Sequence, residues 1–252
     1  MNENEYKIYQ EIIKDVLRTD PKYEIFQIEL IKKMMTRVLY IWSMRHQESS
    51  YNQGFSDLVM PFFIVFFNEY FPNLNNEDII KIKESSLLNF NMEIFQNIES
   101  DIYWCFTNMM NKIHINYIQQ SGVNQMIKKL KEIIKFADVD LFFHLQKLQI
   151  NFVQFAFSWM NCYLTREFNI ILIIRMWDTY FSEDDGFNNF HIFVCACLLL
   201  NFSDNLKQID NFNEIIKFLK NLPTSNWTLE NIEVLLAKAY QISVLFLKEN
   251  QL

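Results

Sequence analysis

Apolar positions recur along this chain at intervals of three and four residues, the spacing of one face of an α-helix. Tyr6, Tyr9, Ile12, Ile13 and Val16 mark a short amphipathic helix over 5–17. Thr19-Asp20-Pro21 ends it and predicts a new start, with Asp20 as cap and Pro21 at the first helical position. Ile28, Ile31, Met35, Val38, Leu39 and Trp42 stripe a long helix over 24–46. Leu58–Phe67 is apolar on every side and predicts a buried helix, with Pro61 in its first turns, where a missing amide does least harm. A loop is expected over 73–78. Phe95, Ile98, Ile102, Phe106, Met109 and Ile113 line a helix over 93–118, broken by Gln119-Gln120-Ser121-Gly122. The next helix, 123–136, turns Lys128, Lys129 and Lys131 outward as a solvated face. Helices over 138–148, 169–181, 212–221 and 228–247 and dense apolar stretches at 152–166 and 187–202 complete the chain. Ser182–Gly186 is an acidic turn. No stretch alternates apolar and polar residues as a strand would, so the fold class is all-α.

Composition sharpens this picture. Only 3 Gly and 4 Pro punctuate 252 residues, and half the chain is hydrophobic, which suits helices joined by short connections. The net charge of −7 gives no footprint for nucleic acid. The densest apolar runs fall short of the roughly 18 residues that suggest a membrane span, so no transmembrane segment is expected. Cys105, Cys162, Cys195 and Cys197 lack metal-ligand spacing and read as small buried thiols in a reducing compartment. His46, His114, His144 and His191 are scattered, and no metal site is expected. Phosphate-cradling glycine loops and a nucleophile elbow are both missing. Asp184-Asp185 reads as solvent-facing. A conventional small-molecule enzyme is therefore poorly supported.

One polar stretch stands out. Ser50-Tyr51-Asn52-Gln53-Gly54-Phe55-Ser56-Asp57 reads as a turn on the end of the buried helix. A chain so poor in glycine tends to place one where the backbone needs a positive φ or a close approach, which singles out Gly54. The Asp57 carboxylate is placed to cap the helix that follows. Gln53 is then held just outside a rigid helix, with a carboxamide that both donates and accepts.

Read together, two motifs carry a family resemblance. Ile12-x-x-Asp15-x-x-Arg18, continuing into Thr19-Asp20-Pro21, and Tyr51-x-Gln53-Gly54 resemble the paired signatures of the TBC domain, in order and in separation. Ile41–His46, Asp57–Phe63, Phe155-Ala156-Phe157-x-Trp159, Arg166-Glu167-Phe168 and Trp177–Tyr180 extend the likeness to about residue 240. The flanks look most like the branch of TBC1 family member 22.

That resemblance implies a two-lobed, multi-helix Rab-GAP domain over 1–252, with lobes of about 1–150 and 151–252. It implies a GTPase-activating protein for a Rab-type small GTPase in its GTP state, acting in vesicle traffic. By the same resemblance Arg18 and Gln53 enter the partner's active site as fingers. Asp15 orients Arg18 or holds the local loop, Tyr51 and Gly54 shape that loop, and Ile12 supports the motif. No cofactor belongs to the chain itself, because the partner binds Mg-GTP. The protein is expected to be cytoplasmic, meeting Golgi or endosomal membranes only through partners.

Two departures modify the expectation. An RxxxW motif that usually precedes the first signature is not found, so the family's N-terminal helices are expected to be missing. Ser158 stands where the family commonly has Arg, so Asp178, if that arginine's partner, is expected to need Arg175 or Arg166. The alternative to an activator is a catalytically weak TBC-like scaffold that binds a GTPase or adaptor.

Overall fold

Helices account for the regular structure of this protein in the computed structural model, which describes residues 2–48, 51–87, 91–113, 115–118 and 121–249. No strand occurs among the described residues. The first unit holds α1 (Glu3–Val16), α2 (Glu29–Arg45), α3 (Phe55–Tyr70), α4 (Asn76–Ile80), α5 (Glu84–Leu87), α6 (Met92–Ile113) and α7 (Ile115–Ile118). The second holds α8 (Ser121–Ala137), α9 (Val139–Lys147), α10 (Val153–Asn161), α11 (Ile170–Ser182), α12 (His191–Asn201), α13 (Ser203–Lys207), α14 (Phe212–Lys220) and α15 (Leu229–Glu249). Ser50, His114, Gln119 and Gln120 lie outside the described residues.

In the first unit α1 packs on α2 and α3, and α6 packs on both α2 and α3. Trp42, Phe55 and Phe106 meet edge to face at the centre, with ring centroids 5.5–6.2 Å apart. Such rings bury large apolar area and lock one another's orientation. Several expectations are corrected here. Asp20 does not cap the second helix. Its carboxylate accepts from the Lys22 amide within a turn, a 3₁₀ turn follows at Glu24–Gln27, and α2 starts only at Glu29. Asn75 caps α4 through a reciprocal bond with Asp78, so 73–78 is only partly loop. Pro61 lies at the seventh position of α3, past the first turn, where it removes the amide that would bond the Asp57 carbonyl. The helix is buried through Ile64, but Val65 reaches the surface.

In the second unit α12 is buried from His191 to Leu199 and packs against α8 and α15. A π turn at Gly186–Phe190 leads into it. A β-carbon on Gly186 would sit 2.0 Å from the Tyr180 carbonyl oxygen, so only glycine permits this approach. His191 bridges the Tyr180 hydroxyl and the Trp159 carbonyl, each at 3.1 Å, and burial lowers its pKa to about 3. It is a neutral core residue. Ser121 and Gly122 lie inside α8 rather than breaking the chain there. Lys129 does not join a solvated face: it is half-buried, bonds Asn189, and lies 5.4 Å from the Phe193 ring centre. Burial pulls its pKa down. Asp178 is exposed and needs no buried partner, while Arg175 forks onto Glu233 instead. Cys162, Cys195 and Cys197 are buried free thiols.

Glu167, on the turn after α10, has its pKa raised to about 7, chiefly by burial, against the opposing pull of Arg166 and a bond from Trp159. The folded state therefore holds an extra proton between the ordinary carboxyl range and about pH 7. The stability this gives is complete below the unfolded value and is lost as pH rises through the folded one. Glu167→Gln, neutral at every pH, is expected to gain on the parent protein between about pH 5 and pH 8, by up to about 3 kcal/mol. Urea denaturation of both proteins across that range measures it. His191, whose depressed value acts in the opposite direction, is common to both and cancels.

Candidate functional site

The site is assembled at the junction of α1 with the turn before α3. Helix α1 buries Ile12, Asp15 and Val16 toward the first unit's core and leaves Glu11, Lys14 and Arg18 exposed. Arg18 lies just past the helix end, its amide bonded to the Asp15 carbonyl at 3.0 Å. That position suits a cation, because the carbonyl end of a helix carries partial negative charge. Among the described residues no carboxylate pairs with the Arg18 guanidinium.

Asp15 is a buried acid near a helix C-terminus, which is unfavourable unless something compensates. The compensation comes from the second motif. Asp15 Oδ2 accepts from the Tyr51 hydroxyl at 2.5 Å, the Gly54 amide at 2.9 Å and the Ser56 hydroxyl at 2.9 Å. A longer contact of 3.5 Å comes from the Ser56 amide. Bonds to an ionised acceptor are short and strong. Two of these donors are backbone amides at the start of α3, which have no partner inside their own helix. Asp15 thus caps α3 from another element.

This corrects the role expected of Asp57. The cap position is Gly54, which offers no side chain, and Asp57 sits within the first helical turn, where its charge complements the helix dipole. Gly54 has φ 105° and ψ −5°, the left-handed conformation that glycine tolerates best. Tyr51 is buried, and burial together with the Asp15 charge pushes its pKa far up, so its hydroxyl stays a donor. The turn is bonded at three points, and Gln53 stands exposed upon it.

Arg18 and Gln53 both line one open pocket of about 370 Å³, with Glu11, Lys14, Asp15 and Tyr51 around them. Four of the six motif residues, Asp15, Arg18, Tyr51 and Gln53, thus line this pocket; Gly54 bonds Asp15 from the turn, and Ile12 is fully buried on α1. The sequence reading did not single out Ser56, Glu11 or Lys14. Glu11, Lys14, Asp15 and Arg18 follow helical spacing, a signal that could have found the first two. Ser56 had no signal beyond its closeness to Gly54. No group of His, Cys, Asp and Glu that could hold a metal ion occurs among the described residues.

The sequence profile described as the Rab-GTPase-TBC domain matches residues 1–207. The chain belongs to that family. It is 36% identical over 245 residues to TBC1 domain family member 22B of Homo sapiens, covering 97% of this chain and 47% of the relative. It is 40% identical over 237 residues to the GTPase-activating protein gyp1 of Schizosaccharomyces pombe, covering 92% and 44%. The chain spans about half the length of these curated relatives. Among solved structures, the Ypt/Rab-GAP domain of Gyp1p superposes with a TM-score of 0.90 at 40% identity, covering 98% of this chain and 76% of that one. The all-α TBC fold expected from the sequence is therefore the observed one. Among the described residues no helix is long and apolar enough to cross a membrane.

Within this TBC domain, Asp15 is expected to be the costliest residue of the site to remove. Asp15→Ala leaves the Tyr51 hydroxyl and two amides without their acceptor, and a loss of about 2–5 kcal/mol is expected in chemical denaturation. Hydrogen exchange should quicken at the Gly54 and Ser56 amides before it does in α6. Unchanged protection there would contradict the capping role.

Proposed function

We propose that this chain accelerates GTP hydrolysis on a Rab-type small GTPase in its GTP state, with Arg18 and Gln53 as the two groups that enter the partner's site. The observation that carries the reading is the exposure of both side chains on one pocket beside a motif-built turn. Membership of the Rab-GTPase-TBC family supports it. So does the likeness to relatives named as GTPase-activating proteins.

The chemistry follows from what phosphoryl transfer requires. Water attacks the γ-phosphorus, the bond to the bridging oxygen breaks, and charge spreads over the transferred group and the leaving diphosphate. A guanidinium is planar, permanently charged and able to bind two oxygens at once, so Arg18 suits that charge. A carboxamide can accept from the attacking water with its oxygen and donate elsewhere with its nitrogen, so Gln53 suits the water. An arginine supplied in trans is worth on the order of 10³–10⁵ in rate. Fixing the turn that carries Gln53 beside the end of α1 before the partner arrives lowers the ordering cost of the encounter. Asp15 contributes as a positioning residue through the turn it caps. In this reading magnesium and nucleotide belong to the partner, the chain brings no cofactor, and Golgi or endosomal membranes are reached through partners in vesicle traffic.

Single-turnover phosphate release from a panel of GTP-loaded Rab proteins tests the proposal. Stimulation by the parent chain is expected for at least one of them, with Arg18→Ala and Gln53→Ala each slowing it by about 10²-fold or more. Stimulation that survives both substitutions would remove these residues from the mechanism. A GTP-dependent complex without stimulation across the panel would leave a scaffold in place of an activator.

A further inference from the structure

A second concave site, in the second unit, is unexplained by GTPase activation. It is a pocket of about 500 Å³ between α8, α9 and the turn that precedes α10. Lys128 and Lys131 stand on its rim, and Lys135 continues their stripe one turn further along α8. Positions i, i+3 and i+7 share one helix face, so the three lysines are spread over roughly 10 Å of helix. All three residues are exposed. The chain carries 30 acidic residues against 23 basic ones, yet among the described residues no carboxylate lies within ion-pair distance of these three. Glu132, also exposed, borders the stripe without forming an ion pair with any of the three. Instead, Lys131 and Lys135 lie 5.7 and 5.8 Å from the Phe142 ring centre.

The floor of the pocket is apolar, with Phe142, Ile150 and Phe152 in its lining. Its rim also presents the carboxamides of Gln146 and Gln149, which make no side-chain hydrogen bond among the described residues. Gln149 holds φ 56°, in the left-handed region. It ends α9: the Ile150 amide returns to the Leu145 carbonyl at 2.9 Å, the closure that most often has glycine at this place. A glutamine there is strained, and its side chain is what a glycine would lack.

We propose that this pocket docks a short, extended, acidic segment of a protein partner that carries one large apolar side chain. The lysine stripe meets the carboxylates, the apolar floor takes the anchor, and Gln146 and Gln149 bond the peptide backbone. Charge complementarity selects the acidic class. The concavity and the paired carboxamides favour a peptide over a lipid surface, which is flat and offers no backbone amides to them.

The test uses the full chain and fluorescein-labelled heptapeptides in fluorescence anisotropy. The probe is Asp-Glu-Asp-Phe-Asp-Glu-Asp. Two controls replace its acids with Lys, or its Phe with Ser. Vesicles of phosphatidylcholine with roughly one third phosphatidylserine form a separate arm. Saturable binding of the acidic Phe peptide is expected, weakened about tenfold or more by the double substitution Lys128→Glu and Lys131→Glu, and weakened for both control peptides. Raising salt from about 0.05 to about 0.5 M should also weaken it. Thermal melting checks that the exposed lysine variants remain folded. Gln149→Gly separates a site from a helix terminator: it should raise Tm while lowering peptide affinity. Peptide binding that ignores charge reversal, or that does not need Phe, would overturn the proposal. So would binding to anionic vesicles without binding to the peptide.

Discussion

Everything at the candidate site depends on one buried carboxylate. Asp15 ends a helix where negative charge is unwelcome, and it is stable there only because Tyr51, Gly54 and Ser56 surround one of its oxygens with donors. In return, the first amides of α3 gain the acceptor that their own cap residue, a glycine, does not offer. The two motifs are more than thirty residues apart in sequence and are joined by this one atom. Arg18 lies just past the end of the helix that carries Asp15, and Gln53 on the turn that Asp15 holds. A pocket lined by both a cation and a carboxamide follows from that bond set.

The rest of the first unit supports this arrangement. The Trp42, Phe55 and Phe106 cluster fixes the first residue of α3, so the cap and the core specify the same position twice. The Tyr51 ring packs on Phe55 at 5.5 Å while its hydroxyl reaches Asp15, which couples apolar packing to the polar network. Such coupling leaves little freedom for the turn. In the second unit, the buried His191 and the close approach at Gly186 play the comparable part of fixing α12.

Most helices were legible because their apolar stripes follow one period, as with Ile98, Ile102, Phe106 and Met109 on α6. Gly54 was legible because glycine is so scarce here that its presence implies a backbone demand. Caps were the weak point. Asp20 and Asp57 both have the right chemistry, but Asp20 is taken by the Lys22 amide two residues on, and α3 starts early enough to put Asp57 inside its first turn. Lys129 illustrates the same limit: a charged residue on a helix is usually solvated, and only the packed fold shows Asn189 and Phe193 beside it. Asp15 as a cap for α3 could not be read locally, since its partners lie 36 to 41 positions away. The pairing of Arg18 with Gln53 was legible only through the family likeness of their motifs.

The central claim is that these two side chains act on one transferred phosphoryl group from one preset pocket. A double-substitution cycle on single-turnover phosphate release tests it most directly, using Arg18→Ala, Gln53→Ala and the combined variant with a responsive GTPase. Groups that act as a unit lose most of their effect with the first removal, so the combined variant should be little slower than the worse single one. Rate losses that multiply fully, as for two independent sites, would contradict the account.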